Sequence, residues 1–211
     1  MSNGFKQIIL NQNTPIALDH TLNCGQVFRW RKKGNYWYGV VKDTVVKLRQ
    51  DQNKLIFKTY PEDITADFLI KYLRLEDNLP LILSKIDKDP IIKSAIKHSY
   101  GLRIIRQDPW ECLISYICAT FSNLIRIKQM IQYLSKKFGK ELIYDGYKFY
   151  SFPKIEDLVE AELKDLLNCK LGFRAKYIQK TSMYVNTYKI HLNSLYRLPY
   201  NKAKKELLDI P

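Results

Sequence analysis

The sequence has little that would support metal, redox or hydrolase chemistry. Its four cysteines, Cys24, Cys112, Cys118 and Cys169, are scattered without a C-x-x-C pair. The three histidines, His20, His98 and His191, are far apart in sequence, so no recognisable zinc set forms with the cysteines. The cysteines are therefore expected as reduced thiols in or near the core, and the histidines as isolated surface or internally satisfied polar residues. The eight glycines build no nucleotide-binding loop, and no serine or cysteine triad can be assembled, so no cofactor is implied. No stretch approaches the roughly 18 apolar residues of a membrane span. The start, MSNGFKQIIL, lacks a basic region followed by a long apolar run, so an unsecreted soluble protein of the cytoplasm, nucleoid or nucleus is expected. Repeats, low-complexity tracts and flexible linkers are missing as well.

What is present is positive charge. The 211 residues carry 35 Lys and Arg against 21 Asp and Glu, a formal charge of +14. The excess is spread along the chain, with 16 basic against 10 acidic residues in 1–100 and 19 against 11 in 101–211. A polyanion partner follows naturally, because phosphate neutralisation with counterion release drives nucleic-acid affinity. The plainer alternative is a surface kept in solution by lysine. The apolar content of 46% is enough to fill one large core or two small ones.

Residues 26–60 read as an antiparallel meander, since short β-branched and aromatic stretches such as YWYGVV and KLIFKTY are cut by turn residues. Lys33-Gly34-Asn35 and Asp51-Gln52-Asn53 supply its hairpin loops. After Pro61 the period becomes helical, through Phe68, Leu69, Tyr72, Leu73 and Leu75, with further helices expected at 79–86 and 91–98. Asp108 and Pro109 form an N-cap and first helical position for a helix through Trp110 and Cys118. Ser122-Asn123 interrupts it, and a second amphipathic helix runs from Leu124 to Gly139. Residues 144–150 read as an aromatic loop and 155–167 as one helix. Gly172 opens a turn before a helix at 174–188, and a last helical run covers 201–208. The expected class is α+β, a sheet-containing first half and an all-helical second half, with the boundary near 101–108.

Four segments together resemble the 8-oxoguanine DNA glycosylases of the helix-hairpin-helix-GPD superfamily. They are NCGQVFRW at 23–30, the block from GLRIIRQDPWECL at 101 to Arg126, LGFRAKY at 171–177, and KAKKELLDIP at 202–211. Their order and spacing span nearly the whole chain. The resemblance implies a TBP-like antiparallel sheet domain with helices over 1–104 and a helical glycosylase domain over 105–211. It also implies base-excision repair of 8-oxoguanine in duplex DNA, by a protein that is monomeric when complete.

The same resemblance suggests roles residue by residue. Gly25 matches the glycine whose carbonyl accepts from the proton that oxidation places on N7; in guanine that position is a lone pair, and a buried unpaired acceptor costs about 1 to 3 kcal/mol. By local sequence alone Gly25 is simply a turn glycine, and both readings can hold. Arg126 and Arg174 match the arginines that hydrogen-bond the orphaned cytosine, whereas any single arginine could equally face phosphate or solvent. Phe173 matches the intercalating aromatic wedge, although its local sequence reads as a core phenylalanine closing a helix start. Asn123 belongs to the run before the cytosine-binding arginine, and the resemblance implies that it binds the orphan base with Arg126 and Arg174. Phe121 stands where the family commonly has a gap-filling asparagine, so it can fill the space only by stacking, and a weaker preference for cytosine opposite the lesion is expected.

The chemistry itself needs an amine nucleophile, a lysine whose pKa is depressed from about 10.4 by burial or nearby positive charge, and a carboxylate beside it. In the family both follow the proline matching Pro211, so they are expected to be absent from this chain. Lys202, Lys204 and Lys205 share one predicted surface helix and read as a solvated or phosphate-facing patch, and Asp209 has no nucleophile beside it. The chain is therefore expected to recognise damage without reacting. A non-catalytic damaged-DNA-binding module is the competing expectation, and a basic fragment without activity the plainest one.

Overall fold

The computed structural model describes residues 4–211 and has the expected α+β composition. It divides into two compact units between Gln107 and Asp108. The first contains β1 (Lys6–Ile9), α1 (Leu18–Asn23), β2 (Arg31–Lys33), β3 (Tyr36–Val41), β4 (Thr44–Asp51), β5 (Lys54–Tyr60), α2 (Ala66–Tyr72), α3 (Leu79–Ile86) and α4 (Pro90–His98). Its five strands pair antiparallel in the order β1-β5-β4-β3-β2. The meander is therefore as read, except that residues 26–30 are not a strand and an unforeseen strand, β1, closes the far edge with Ile8 opposite Leu55.

Alternation along β4 and β5 sends Val46, Leu48, Leu55 and Phe57 into one core with Leu22, Trp30, Leu69 and Leu73. Trp30 lies flat on the backbone of Gly39, where an added Cβ would come within 2.2 Å of the indole. A mid-strand glycine thus serves the close approach of a ring. The indole nitrogen of Trp30 donates to the Tyr72 hydroxyl at 3.0 Å, which satisfies both buried polar ends.

The helical run that was expected to continue through Leu75 stops at Tyr72, and Arg74 turns left-handed at φ 53°. The end is a Schellman cap, the Leu75 amide donating to the Ile70 carbonyl at 2.9 Å and the Arg74 amide to that of Lys71 at 3.2 Å. Just past it lies Arg103, only 2% exposed, whose guanidinium donates to the carbonyls of Pro15 at 2.9 Å, Arg74 at 2.8 Å and Asp77 at 2.9 Å. Three loops end on one side chain. His20 and His98 are not isolated as expected: their rings meet edge to face at 5.8 Å, because α1 and α4 bring distant sequence together.

The second unit contains α5 (Pro109–Ala119), α6 (Leu124–Phe138), β6 (Glu141–Tyr144), β7 (Tyr147–Tyr150), α7 (Ile155–Val159), α8 (Leu163–Asn168), α9 (Arg174–Thr187), a 3₁₀ segment at Leu192–Arg197 and α10 (Tyr200–Leu208). It is not all-helical. The expected aromatic loop is a hairpin, β6 with β7, turned by Asp145 at φ 49° and Gly146 at φ 75°, the pair of positive angles that a type I′ turn requires. The single helix expected over 155–167 is two, because the Ala161 carbonyl accepts from Gln179 of α9 instead of continuing a helical ladder. Gly139 ends α6 at φ −90°, and it is needed for contact: a Cβ there would lie 2.0 Å from the Ser151 carbonyl oxygen. The core gathers Ile114, Ile131, Leu134, Leu158, Leu166 and Ile178, with α9 packed on α5, α7 and α8. Among the described residues no helix is long and apolar enough to cross a membrane.

Candidate nucleic-acid interface

Two helix starts and the turn between them set the geometry of the second unit's candidate surface. Asp108 caps α5, its carboxylate accepting from the backbone amides of Trp110 and Glu111 at 3.0 Å each. Asn123 caps α6, its side-chain oxygen accepting from the Arg126 amide at 3.0 Å. Between α5 and α6 lies the short turn of Thr120, Phe121 and Ser122. Phe121 takes φ 47°, the left-handed region that costs a non-glycine residue on the order of 1 to 2 kcal/mol, and its ring is 92% exposed.

Arg174, the first residue of α9, holds this turn in place. It is 9% exposed. Its Nε donates to the Thr120 carbonyl at 3.0 Å, and one Nη2 hydrogen donates to the same oxygen. Nη2 also donates to the Phe121 carbonyl at 3.0 Å and Nη1 to the Leu171 carbonyl at 3.3 Å. Four of the five guanidinium N–H groups are thereby directed to the protein's own backbone. The guanidinium carbon also sits 4.5 Å from the ring centroid of Phe173, which is 52% exposed and meets Tyr177 edge-on at 6.3 Å. Gly172, at φ 58°, makes the turn that lifts Phe173 out of the core position its local sequence allowed.

Beside these residues opens a groove of about 550 Å³ lined in part by Ser122, Arg126, Tyr133, Lys170, Gly172 and Arg174. Arg126 is exposed on the first turn of α6. The Ser122 hydroxyl is buried and meets no hydrogen-bond partner among the described residues. Cys118, under the same turn, is pushed up to about 12 by burial, against the pull of the Arg174 charge, and burial likewise raises Cys169 to about 11. Both thiols are neutral packing groups. The other two cysteines depart from expectation: Cys24 and Cys112 lie exposed rather than in the core, and all four are free.

The structure thus brings Phe121, Asn123, Arg126, Phe173 and Arg174 together in the second unit, while Gly25 belongs to the first. Gly25 takes φ 95° on the loop after α1. Its neighbour Gln26, which the sequence did not single out, braces that loop. The amide of Gln26 donates to the carbonyls of Thr21 at 2.9 Å and Arg103 at 2.7 Å, and its oxygen accepts from the Ile105 amide at 2.8 Å. A polar side chain directly between Gly25 and the apolar pair Val27-Phe28 was the signal available. Lys202, Lys204, Lys205 and Asp209 are all exposed on and beside α10, without the burial on which a nucleophilic lysine relies.

Residues 8–113 match the family described as 8-oxoguanine DNA glycosylase, N-terminal domain. The chain belongs to that glycosylase family. It is 33% identical over 177 residues to the N-glycosylase/DNA lyase OGG1 of Arabidopsis thaliana, covering 80% of this chain and 48% of that protein. To the N-glycosylase/DNA lyase of Saccharomyces cerevisiae it is 34% identical over 202 residues, covering 86% of this chain and 52% of the yeast protein. The chain therefore spans about half the length of the curated relatives it matches. Among solved structures, the 8-oxoguanine glycosylase/lyase of Clostridium acetobutylicum, in complex with double-stranded DNA containing cytosine opposite 8-oxoG, superposes with a TM-score of 0.89. That match is at 28% identity and covers 99% of this chain and 74% of that one. The glycosylase family accounts for both the sheet-bearing unit and the helical one.

Proposed function

We propose that the chain recognises 8-oxoguanine in duplex DNA as part of a base-excision glycosylase/lyase, and that these 211 residues supply lesion and orphan-base recognition. The observation that carries this reading is the pair of exposed aromatics, Phe121 and Phe173, set against Arg174 beside the exposed Arg126. An enzyme that extrudes a base loses a few kcal/mol of stacking and pairing, and it must fill the hole and hold the stranded partner. Phe173 is the wedge. Phe121 fills the vacated space, and Arg126 faces the acceptors of the orphan base with its full fork of donors. Arg174 contributes at most the Nη1 hydrogen that its own carbonyl contacts leave over. Asn123, whose oxygen caps α6, has its NH₂ end to offer the base. On the first unit, the carbonyl of Gly25 accepts from the N7 proton of the lesion. Lys202, Lys204 and Lys205 are exposed and are not the nucleophile.

Borohydride trapping on a duplex with 8-oxoguanine opposite cytosine, run beside a binding titration, tests the reading. Lesion-preferring binding without a covalent adduct is expected. A trapped adduct would show that one of these lysines reacts, and equal binding of damaged and undamaged duplex would remove the recognition role.

A further inference from the structure

We propose that Arg174 is a positioning residue that fixes the gap-filling Phe121 and the wedge Phe173 as one mechanical unit. The inference rests on the reading that these two rings meet DNA, and it adds how they are presented. Phe121 occupies a left-handed conformation that a phenylalanine keeps only when its surroundings over-determine it. Those surroundings are the Arg174 guanidinium, which takes the carbonyls of both Thr120 and Phe121, more than fifty residues away in sequence. The same guanidinium reaches back to Leu171 and lies 4.5 Å from the ring of Phe173. One planar group therefore joins the turn between α5 and α6 to the turn before α9. A lysine would not reproduce this, since its three donors radiate from one nitrogen and it has no planar fork to lie over the ring while reaching both carbonyls. With four of its five N–H groups turned inward, Arg174 acts on the orphan strand chiefly through Phe121, and base reading falls to Arg126.

Insertion of the wedge and filling of the gap are then linked events. Amide hydrogen exchange on the full 211-residue chain without DNA tests the tie directly, because the Thr120 and Ser122 amides close the turn onto Ile117 and Ala119. In Arg174→Lys these amides are expected to exchange about tenfold faster while α5 and α9 keep their protection. Phe173→Ala, at an exposed position that spares the fold, is expected to loosen the same amides by a smaller factor. Unchanged protection in both variants overturns the proposal. A second arm measures, by fluorescence anisotropy, the preference for an 8-oxoguanine–cytosine duplex over the undamaged one in Arg174→Lys, Phe121→Ala and their double variant. Each single change is expected to lower the preference about tenfold, and the double to stay within about twofold of the worse single, as for residues acting through one another. Losses that multiply would mean independent base reading by Arg174 and overturn the positioning role. If the unsubstituted chain showed no lesion preference, the DNA reading would fail while the exchange arm still decided the tie between the two turns.

Discussion

Arg103 and Arg174 use the same chemistry to opposite ends. Each is a buried guanidinium that donates to backbone carbonyls brought from distant sequence, Pro15, Arg74 and Asp77 in one case and Thr120 and Phe121 in the other, where the nearby Leu171 adds a third. In the sheet-bearing unit the carbonyls belong to loops that close over a core, and the arginine is 2% exposed. In the helical unit the distant pair belongs to a turn that presents a phenylalanine to solvent, with a second exposed ring stacked on the guanidinium. Arginine suits both tasks because its fork satisfies several acceptors at fixed angles. The comparison teaches that burial of an arginine does not separate architecture from function; the exposure of what it holds does.

The largest effect is expected where the arginine is purely architectural. Arg103→Ala leaves at least three carbonyls without their donor and opens a cavity, so urea denaturation should record a loss of about 3 kcal/mol or more. If that variant melted like the unsubstituted chain, Arg103 would have no structural role and the contrast would collapse. Phe173→Ala should behave in the reverse way. Its exposed ring contributes within about 0.5 kcal/mol to stability, whereas lesion-duplex affinity in a titration should fall about tenfold, the scale of one lost base–aromatic stack.

A smaller effect sharpens the role of Phe121. Replacing it with asparagine restores an amide to the vacated space and should raise discrimination for cytosine over adenine opposite the lesion several-fold, about one hydrogen bond's worth. Competition binding with the four opposite bases reads this, and an unchanged ranking would assign Phe121 to stacking without influence on the partner base. The smallest effect lies in the sheet-bearing unit. The Asp19 carboxyl is held below its usual range by Lys32 at 2.5 Å, and to a lesser extent by the Trp37 indole at 2.6 Å, against the opposing effect of burial. Because the folded pKa lies below the unfolded one, this contribution is present above about pH 4 and is lost as pH falls through the folded value. Asp19 is well exposed, so the acid limb of a stability–pH curve should shift only slightly in Asp19→Asn.

Much of the fold was legible because its signals are local. The Asp108-Pro109 start of α5, the Asn123 break before α6 and the Gly172 turn all appear where the residues place them, since a cap or a left-handed glycine acts over three or four positions. The Asp145-Gly146 turn was also local, but its four-residue strands are too short and too exposed to alternate clearly, and the aromatic content suggested a loop. The edge strand β1 escaped notice for a different reason. Only Ile8 of its four residues is buried, so it carries no pattern until β5 pairs with it.

By itself the sequence determined the α+β class, the main helix starts, the basic balance and the segments that mark the glycosylase family, because each depends on neighbours within a few residues or on simple counts. Tertiary structure alone decided which residues work together. Nothing local foretold that Arg174 would reach Thr120 and Phe121, that Gln26 would brace the Gly25 loop against Arg103 and Ile105, or that Arg103 would take the Arg74 carbonyl just past α2. A guanidinium or an amide has many acceptors it can satisfy, and only packing brings a particular carbonyl within 3 Å of it.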